Sequence, residues 1–177
     1  MAPRIPGIGA HHSANPQTDE RLTPRHVLDA LGHFDLDPCA PHDRPDWTGT
    51  DRSYTAEMDG LSLPWEGLVY MNPPYSDAGT WMKRLAGHPA GGVALVFARC
   101  DTGWWFEHVW PHARAYLFLR GRLSFIRGDG THARAGHNAG GPSVLIAYGA
   151  DAADRLYHCG LEGAFVAQAR MSTSGDR

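Results

Sequence analysis

The chain has little cysteine. Cys39, Cys100 and Cys159 stand far apart in 177 residues. An odd, dispersed set makes no disulfide framework, and without a Cys-x-x-Cys pair there is no zinc-site signature. A reducing compartment, the cytoplasm, is the expectation. Long apolar runs are missing too: no stretch approaches the roughly 18 residues of a membrane span. Residues 1–15 carry Pro, Gly and His but no apolar segment of the secretory type. Charge of one sign is also lacking. A net charge of −3 gives no whole-molecule attraction to nucleic acid, although local footprints remain open. The eleven histidines are scattered. His108 and His112 have i,i+4 spacing, yet Pro111 between them disturbs a helix. No metal is expected.

What is present describes an ordinary globular chain, with 42% hydrophobic and 20% charged residues. The length suits one domain with a proper core. The expected layout is a flexible arm over 1–20, a single domain over 21–170 and a flexible polar tail over 171–177.

Thr23-Pro24 opens a helix in this reading, with Thr as N-cap and Pro at the first helical position. Val27, Leu28 and Leu31 form its apolar stripe, and Gly32 ends it. Phe34-Asp35-Leu36-Asp37 alternates apolar and polar before Pro38, as a short strand does. A short strand or helix is expected near 53–58. Leu68 to Met71 is the next strand, and 78–86 a helix with Trp81, Met82 and Leu85 on one face. The continuous apolar run 92–98 reads as a parallel strand covered on both faces. A helix near 104–109 and a strand over 115–119 follow. Residues 121–127 read as a hairpin or second short strand. A glycine-rich flexible loop spans 128–141, a strand 142–148, and a weak helix or loop 151–170. Strands alternating with helices predict an α/β fold with a mostly parallel sheet.

Asn72-Pro73-Pro74-Tyr75 follows the apolar strand Leu68 to Met71 directly. Two prolines cannot continue a ladder, and each restricts the residue before it, so the corner is stiff and extended. Open α/β sheets bind ligands at such carboxyl ends. Asn72 offers an amide acceptor and NH₂ donors; Tyr75 offers an aromatic face. Those groups suit a planar target that carries an amino function. The lone pair of an exocyclic amine on a nucleobase is delocalised into the ring. Acceptors that bind its N–H protons localise that pair for in-line attack on a methyl sulfonium. The Asn72 oxygen and the Pro73 carbonyl can supply two, so the rate gain is positioning plus electrostatics. A base inside a duplex must flip out, or be single-stranded, to reach the corner. The alternative reading is a rigid structural turn.

The tetrapeptide resembles the catalytic motif of amino-group methyltransferases that use S-adenosylmethionine (SAM). The series TPRHVLDAL, FDLDPCA, DGLSLPW, VYMNPPYS, WMKRL, ALVFARCDTGWWFEHV and FLRGRLSFI resembles the phage-type DNA N6-adenine methyltransferase (Dam) family over residues 22–148. That resemblance implies a compact Rossmann-like fold, SAM as cofactor and methylation of adenine in DNA. It also implies a phage or mobile-element origin within a bacterial cell, and a monomer or weak homodimer. By position it implies that Asn72, Pro73, Pro74 and Tyr75 are catalytic. Thr23, Pro24, Asp37, Pro38, Cys39, Ala40 and Asp59 fall with Asn72 on the cofactor side. Asp59 takes the acidic position that binds the SAM adenine amino group in related enzymes. As a loop residue it reads equally as an N-cap or turn former.

The broader superfamily's glycine-rich first loop is absent, because Asp37-Pro38 runs into Cys39-Ala40-Pro41-His42. Only 34 residues separate Asp37 from Asn72, so the sheet is expected to be shortened there. Asp43, Asp46 and Asp51 are all candidates for a ribose ligand. Without a separate recognition domain, loops must read the target. Arg99, Trp104, Arg122 and Phe125, with Tyr75, are the candidates for contacting the flipped nucleotide. One of Trp104 and Trp105 is expected in the core, and Phe125 reads equally as core. Arg114, Arg120, Arg122, Arg127 and Arg134 make the centre locally basic, for phosphate contact or as a solvated face. The alternatives are methylation of cytosine N4, an RNA base or a protein glutamine, and a non-catalytic nucleic-acid-binding module.

Overall fold

The computed structural model describes residues 21–42, 49–127 and 141–168. The expected arm 1–20, the tail 171–177, most of the glycine-rich loop, and Asp43 and Asp46 lie outside the described residues.

Seven strands form one sheet: β2 (Phe34–Asp37), β3 (Thr50–Ser53), β4 (Val69–Met71), β5 (Gly92–Phe97), β6 (Ala115–Leu119), β8 (Ser143–Tyr148) and β9 (Gly163–Ala167). Their order is β3-β2-β4-β5-β8-β6-β9. A two-residue ribbon, β1 (Arg21–Leu22) with β7 (Ile126–Arg127), pairs antiparallel beside it. The helices are α1 (Arg25–Leu31), α2 (Ala78–Ala86) and α3 (Ala150–His158). A π-helical turn spans Trp105–Val109. Among the described residues no helix is long and apolar enough to cross a membrane.

The sheet is mixed, which corrects the expectation of a mostly parallel one. β2, β3, β4 and β5 pair in parallel, but β8 runs antiparallel between β5 and β6, and β9 is antiparallel to β6. A strand buried on both faces is apolar in either direction, so composition carries no sign of polarity.

The sheet is covered on two faces. Val27, Leu28 and Leu31 of α1 and Ala152 and Leu156 of α3 pack with Val93, Leu95, Leu117 and Leu145. On the other face Trp81, Met82 and Leu85 of α2, with Trp105 and Val109, pack with Ala94, Val96, Val144 and Ile146. The alternation of side chains along β5 and β8 divides the two clusters.

One local expectation needs correction, and two are narrowed. Pro24, not Thr23, is the N-cap of α1, and no side chain caps it. The Thr23 hydroxyl is engaged elsewhere, as described below. Of the two alternatives for 121–127 the second short strand is found, at 126–127, paired with β1 and not in a hairpin with β6. The weak helix or loop of 151–170 is α3 followed by β9, an edge strand largely exposed along its length. β9 is held by its ladder to β6 and not by burial, so it carries no apolar alternation to read.

Candidate active site

β2, β3, β4, β5 and β6 run in one direction, so their carboxyl ends meet at one edge of the sheet. Asp37 closes β2, Asn72 follows β4, Arg99 lies just beyond β5, and Arg122 follows β6. The β1–β7 ribbon at residues 21–22 and 126–127 sets Thr23 and Phe125, the flanking positions, beside each other in the fold.

A cleft at this edge is lined by Thr23, Asp37, Cys39, Pro41, Tyr70 and Asn72. Four expected site residues therefore meet in one place. Asn72 Nδ2 donates to Thr23 Oγ1 at 3.3 Å. Thr23 Oγ1 lies 2.7 Å from the Tyr70 hydroxyl. Thr23 and Tyr70 are buried, at 4% and 2% exposure. Burial pushes the Tyr70 phenol well above its ordinary range, so it stays neutral. Tyr70 lies inside an apolar strand run, which is why it read as core; its polar tip alone reaches the cleft.

Asp37 is buried, at 8% exposure. Its carboxylate accepts the Cys39 N–H at 3.1 Å, closing a tight turn over Pro38. The Asp37 carbonyl accepts from Tyr54 N–H, and Ala40 N–H donates back to the Tyr54 carbonyl. The segment Asp37 to Ala40 is thus clamped to the chain leaving β3. Burial, and then the Asp37 carboxylate, push the Cys39 thiol well up. Cys39 is accordingly a neutral thiol in the wall of the cleft.

The loop that carries Asp59 is docked onto this turn. A side chain at Gly60 would collide with the Pro38 carbonyl, so glycine permits the close approach. Trp65 Nε1 donates to the Gly60 carbonyl at 2.8 Å, and Trp65 in turn stacks on Trp81 of α2. Asp59 is exposed beside this contact and takes a left-handed φ of 52°. Asp tolerates that conformation better than most residues. The DGLSLPW segment contains Gly60 and Trp65, but only the structure gives them this supporting part.

Pro73 is buried, and Asn72, Pro74 and Tyr75 are partly exposed. Tyr75 stacks on Phe97 with centroids 4.2 Å apart and planes 7° from parallel. Phe125 is buried, at 4%, in the core cluster that also contains Phe97. Trp105 is fully buried, as expected of one of the tryptophan pair. Trp104 packs against Trp105 and Gly79 on the α2 side of the sheet, opposite the cluster of Phe125 and Tyr75. Arg99 and Arg122 are exposed. Ser143, paired with Phe97 at this edge, is buried and its hydroxyl has no hydrogen-bond partner among the described residues. Apolar neighbours hid Ser143, as they hid Phe97, from sequence reasoning. Pro24, Pro38 and Ala40 are all buried around the cleft.

No curated protein and no solved structure matched the chain. A family model described as DNA N-6-adenine-methyltransferase (Dam) matches residues 11–153, a span that contains every site residue named above. By that match over most of its length, the chain belongs to the DNA N-6-adenine-methyltransferase (Dam) family.

Proposed function

We propose that the protein transfers a methyl group from SAM to the exocyclic N6 of adenine in DNA, acting on a flipped or single-stranded base. The observation that carries this reading is the placement of the Asn72 amide. It stands at the carboxyl end of β4, in one cleft with a buried carboxylate. A carboxylate largely removed from water suits a cationic ligand. SAM has two positive centres, an ammonium and a sulfonium, so the residues fit it. Pro24, Asp37, Pro38, Cys39, Ala40 and Asn72 would hold it, with the Thr23 side chain beside them in the wall of the cleft and Asp59 at the rim. When bound, SAM supplies an electrophilic methyl group.

The chain's own groups would then position the amine. The Asn72 oxygen and the Pro73 carbonyl accept its N–H bonds and keep the lone pair on nitrogen. Tyr75, backed by Phe97, receives the flipped base on its other face. The proton released from the methylated amine passes to water. Arg99 and Arg122, both exposed, are proposed for contacts to the target strand or base. Parallel strands ending beside the cleft support a Rossmann-like methyltransferase frame over 21–170.

Incubation with labelled SAM and DNA, followed by digestion to nucleosides, tests the reading. Label is expected in N6-methyl-2′-deoxyadenosine. Asn72→Ala should lower turnover by about 10²–10³-fold while changing stability by about 1 kcal/mol. Label in N4-methylcytosine, in RNA or in protein would overturn the adenine assignment. Absence of SAM binding by calorimetry at millimolar cofactor would instead favour a non-catalytic module.

A further inference from the structure

The geometry points to Tyr70 and Thr23 as positioning residues that set which end of the Asn72 amide faces the target amine. This inference rests on the methyltransferase reading above, and it takes the Thr23 hydroxyl from the cofactor and gives it to Asn72.

The terminal torsion of an asparagine is soft and roughly two-fold. Rotation exchanges an acceptor oxygen for an NH₂ donor in nearly the same place. Only one orientation offers oxygen to an N–H of the substrate; the other opposes donor to donor. Thr23 Oγ1 meets Asn72 Nδ2 at 3.3 Å and the Tyr70 hydroxyl at 2.7 Å. Either hydroxyl can donate in the Thr23–Tyr70 contact; with the Thr23 hydrogen turned to Tyr70, Thr23 presents only lone pairs to Asn72, the arrangement that matches the Nδ2 donor found there. The Asn72 oxygen is then the end directed away from Thr23.

The support for this pair is rigid. The Tyr70 ring packs on Phe34 with centroids 5.4 Å apart, inside the core cluster beneath α1. Thr23 is held between the β1–β7 ribbon and the first turn of α1, where Val27 N–H bonds the Pro24 carbonyl at 2.9 Å. Both hydroxyls are shielded from water, so bulk solvent does not replace the contact readily. The same placement explains why Thr23 does not cap α1.

The test uses the full chain, saturating SAM and unmethylated genomic DNA. Thr23→Val removes the hydroxyl with little change of shape and should lower kcat about tenfold, the effect of one lost hydrogen bond in the transition state. KM for SAM should stay within about twofold. Thr23→Ser should recover most of the loss. Tyr70→Phe keeps the ring packing and should lower kcat by a smaller factor, about threefold. A rise in KM for SAM with unchanged kcat would make Thr23 a cofactor contact and overturn the inference. So would equal losses in Thr23→Val and Thr23→Ser. A second readout does not need turnover. The Asn72 NH₂ signals, assigned by their loss in Asn72→Asp, should exchange with solvent about tenfold faster in Thr23→Val. Unchanged exchange overturns the positioning role even if the wild-type protein methylates no adenine. That absence of activity would sink the function assignment instead.

Discussion

The two halves of the sheet are built differently. On one side β5, β8 and β6 are five or six residues long, and β5 and β8 are buried at every position. Their antiparallel ladder runs unbroken from Gly92↔Tyr148 to Phe97↔Ser143. On the other side β2, β3 and β4 are three or four residues long, and β3 is partly exposed throughout. The cleft lies in this second half, against its border with β5. The short half is held by contacts its loops make. Asp35 accepts the Leu68 N–H, Trp65 seals Gly60 against α2, and Arg84 lies 4.6 Å over the Trp65 ring and bonds the Leu63 carbonyl. Long antiparallel strands carry stability through apolar burial. Short parallel strands leave turns at their ends, and those turns can bring polar groups together.

If that division is right, a core substitution and a loop substitution should fail in different ways. Leu145→Ala should give the largest effect. It empties a fully buried position at the centre of β8, costing about 2–5 kcal/mol. Thermal unfolding measures this, and the specific activity of the fraction that stays folded should be unchanged. A loss of activity in folded protein would show that the two halves are not separable. Gly60→Ala comes next. Its new methyl meets the Pro38 carbonyl, and backbone cannot swing aside as a side chain can. The Asp59 loop should move off the Asp37–Pro38 turn, weakening SAM binding by roughly tenfold, or about 1.4 kcal/mol. Calorimetry with SAM would read this, and unchanged affinity would show that the contact serves stability only.

The smallest effect is a pH dependence in the long half. Burial pushes the Tyr116 phenol up to about 12 from its ordinary value of 10. The folded state therefore keeps this proton more tightly than the unfolded chain does. Its contribution to stability is fully present below pH 10 and is lost as pH rises through about 12. Unfolding midpoints over that window should fall less in Tyr116→Phe than in the wild type.

Much of the fold was legible because burial leaves a pattern. The runs 92–97, 115–119 and 143–148 are apolar enough to be strands wherever they sit, and 78–86 shows its apolar stripe and ends as read. β9 escaped because an exposed edge strand is stabilised by backbone bonds that any residue can make. The Asn72 corner was legible because two prolines after an apolar strand have few meanings. Tyr70 was not, because a tyrosine within such a strand looks like any other core aromatic. Thr23 drew attention for the wrong reason, as a helix cap. Only the closure of 21–22 onto 126–127 turns it toward Asn72.

The chain by itself determined the buried strands, the helices at 25–31 and 78–86 and the stiff corner after Met71, since periodicity and proline geometry are local properties. It also determined the family, because the matched segments span most of its length. Tertiary structure decided the direction of β8, the docking of Gly60 on Pro38, and the contact of Thr23 with Tyr70 and Asn72. Those depend on residues 47 and 49 positions apart, in the last case. No local pattern encodes such meetings; they exist only once the sheet is closed and its strand ends share an edge.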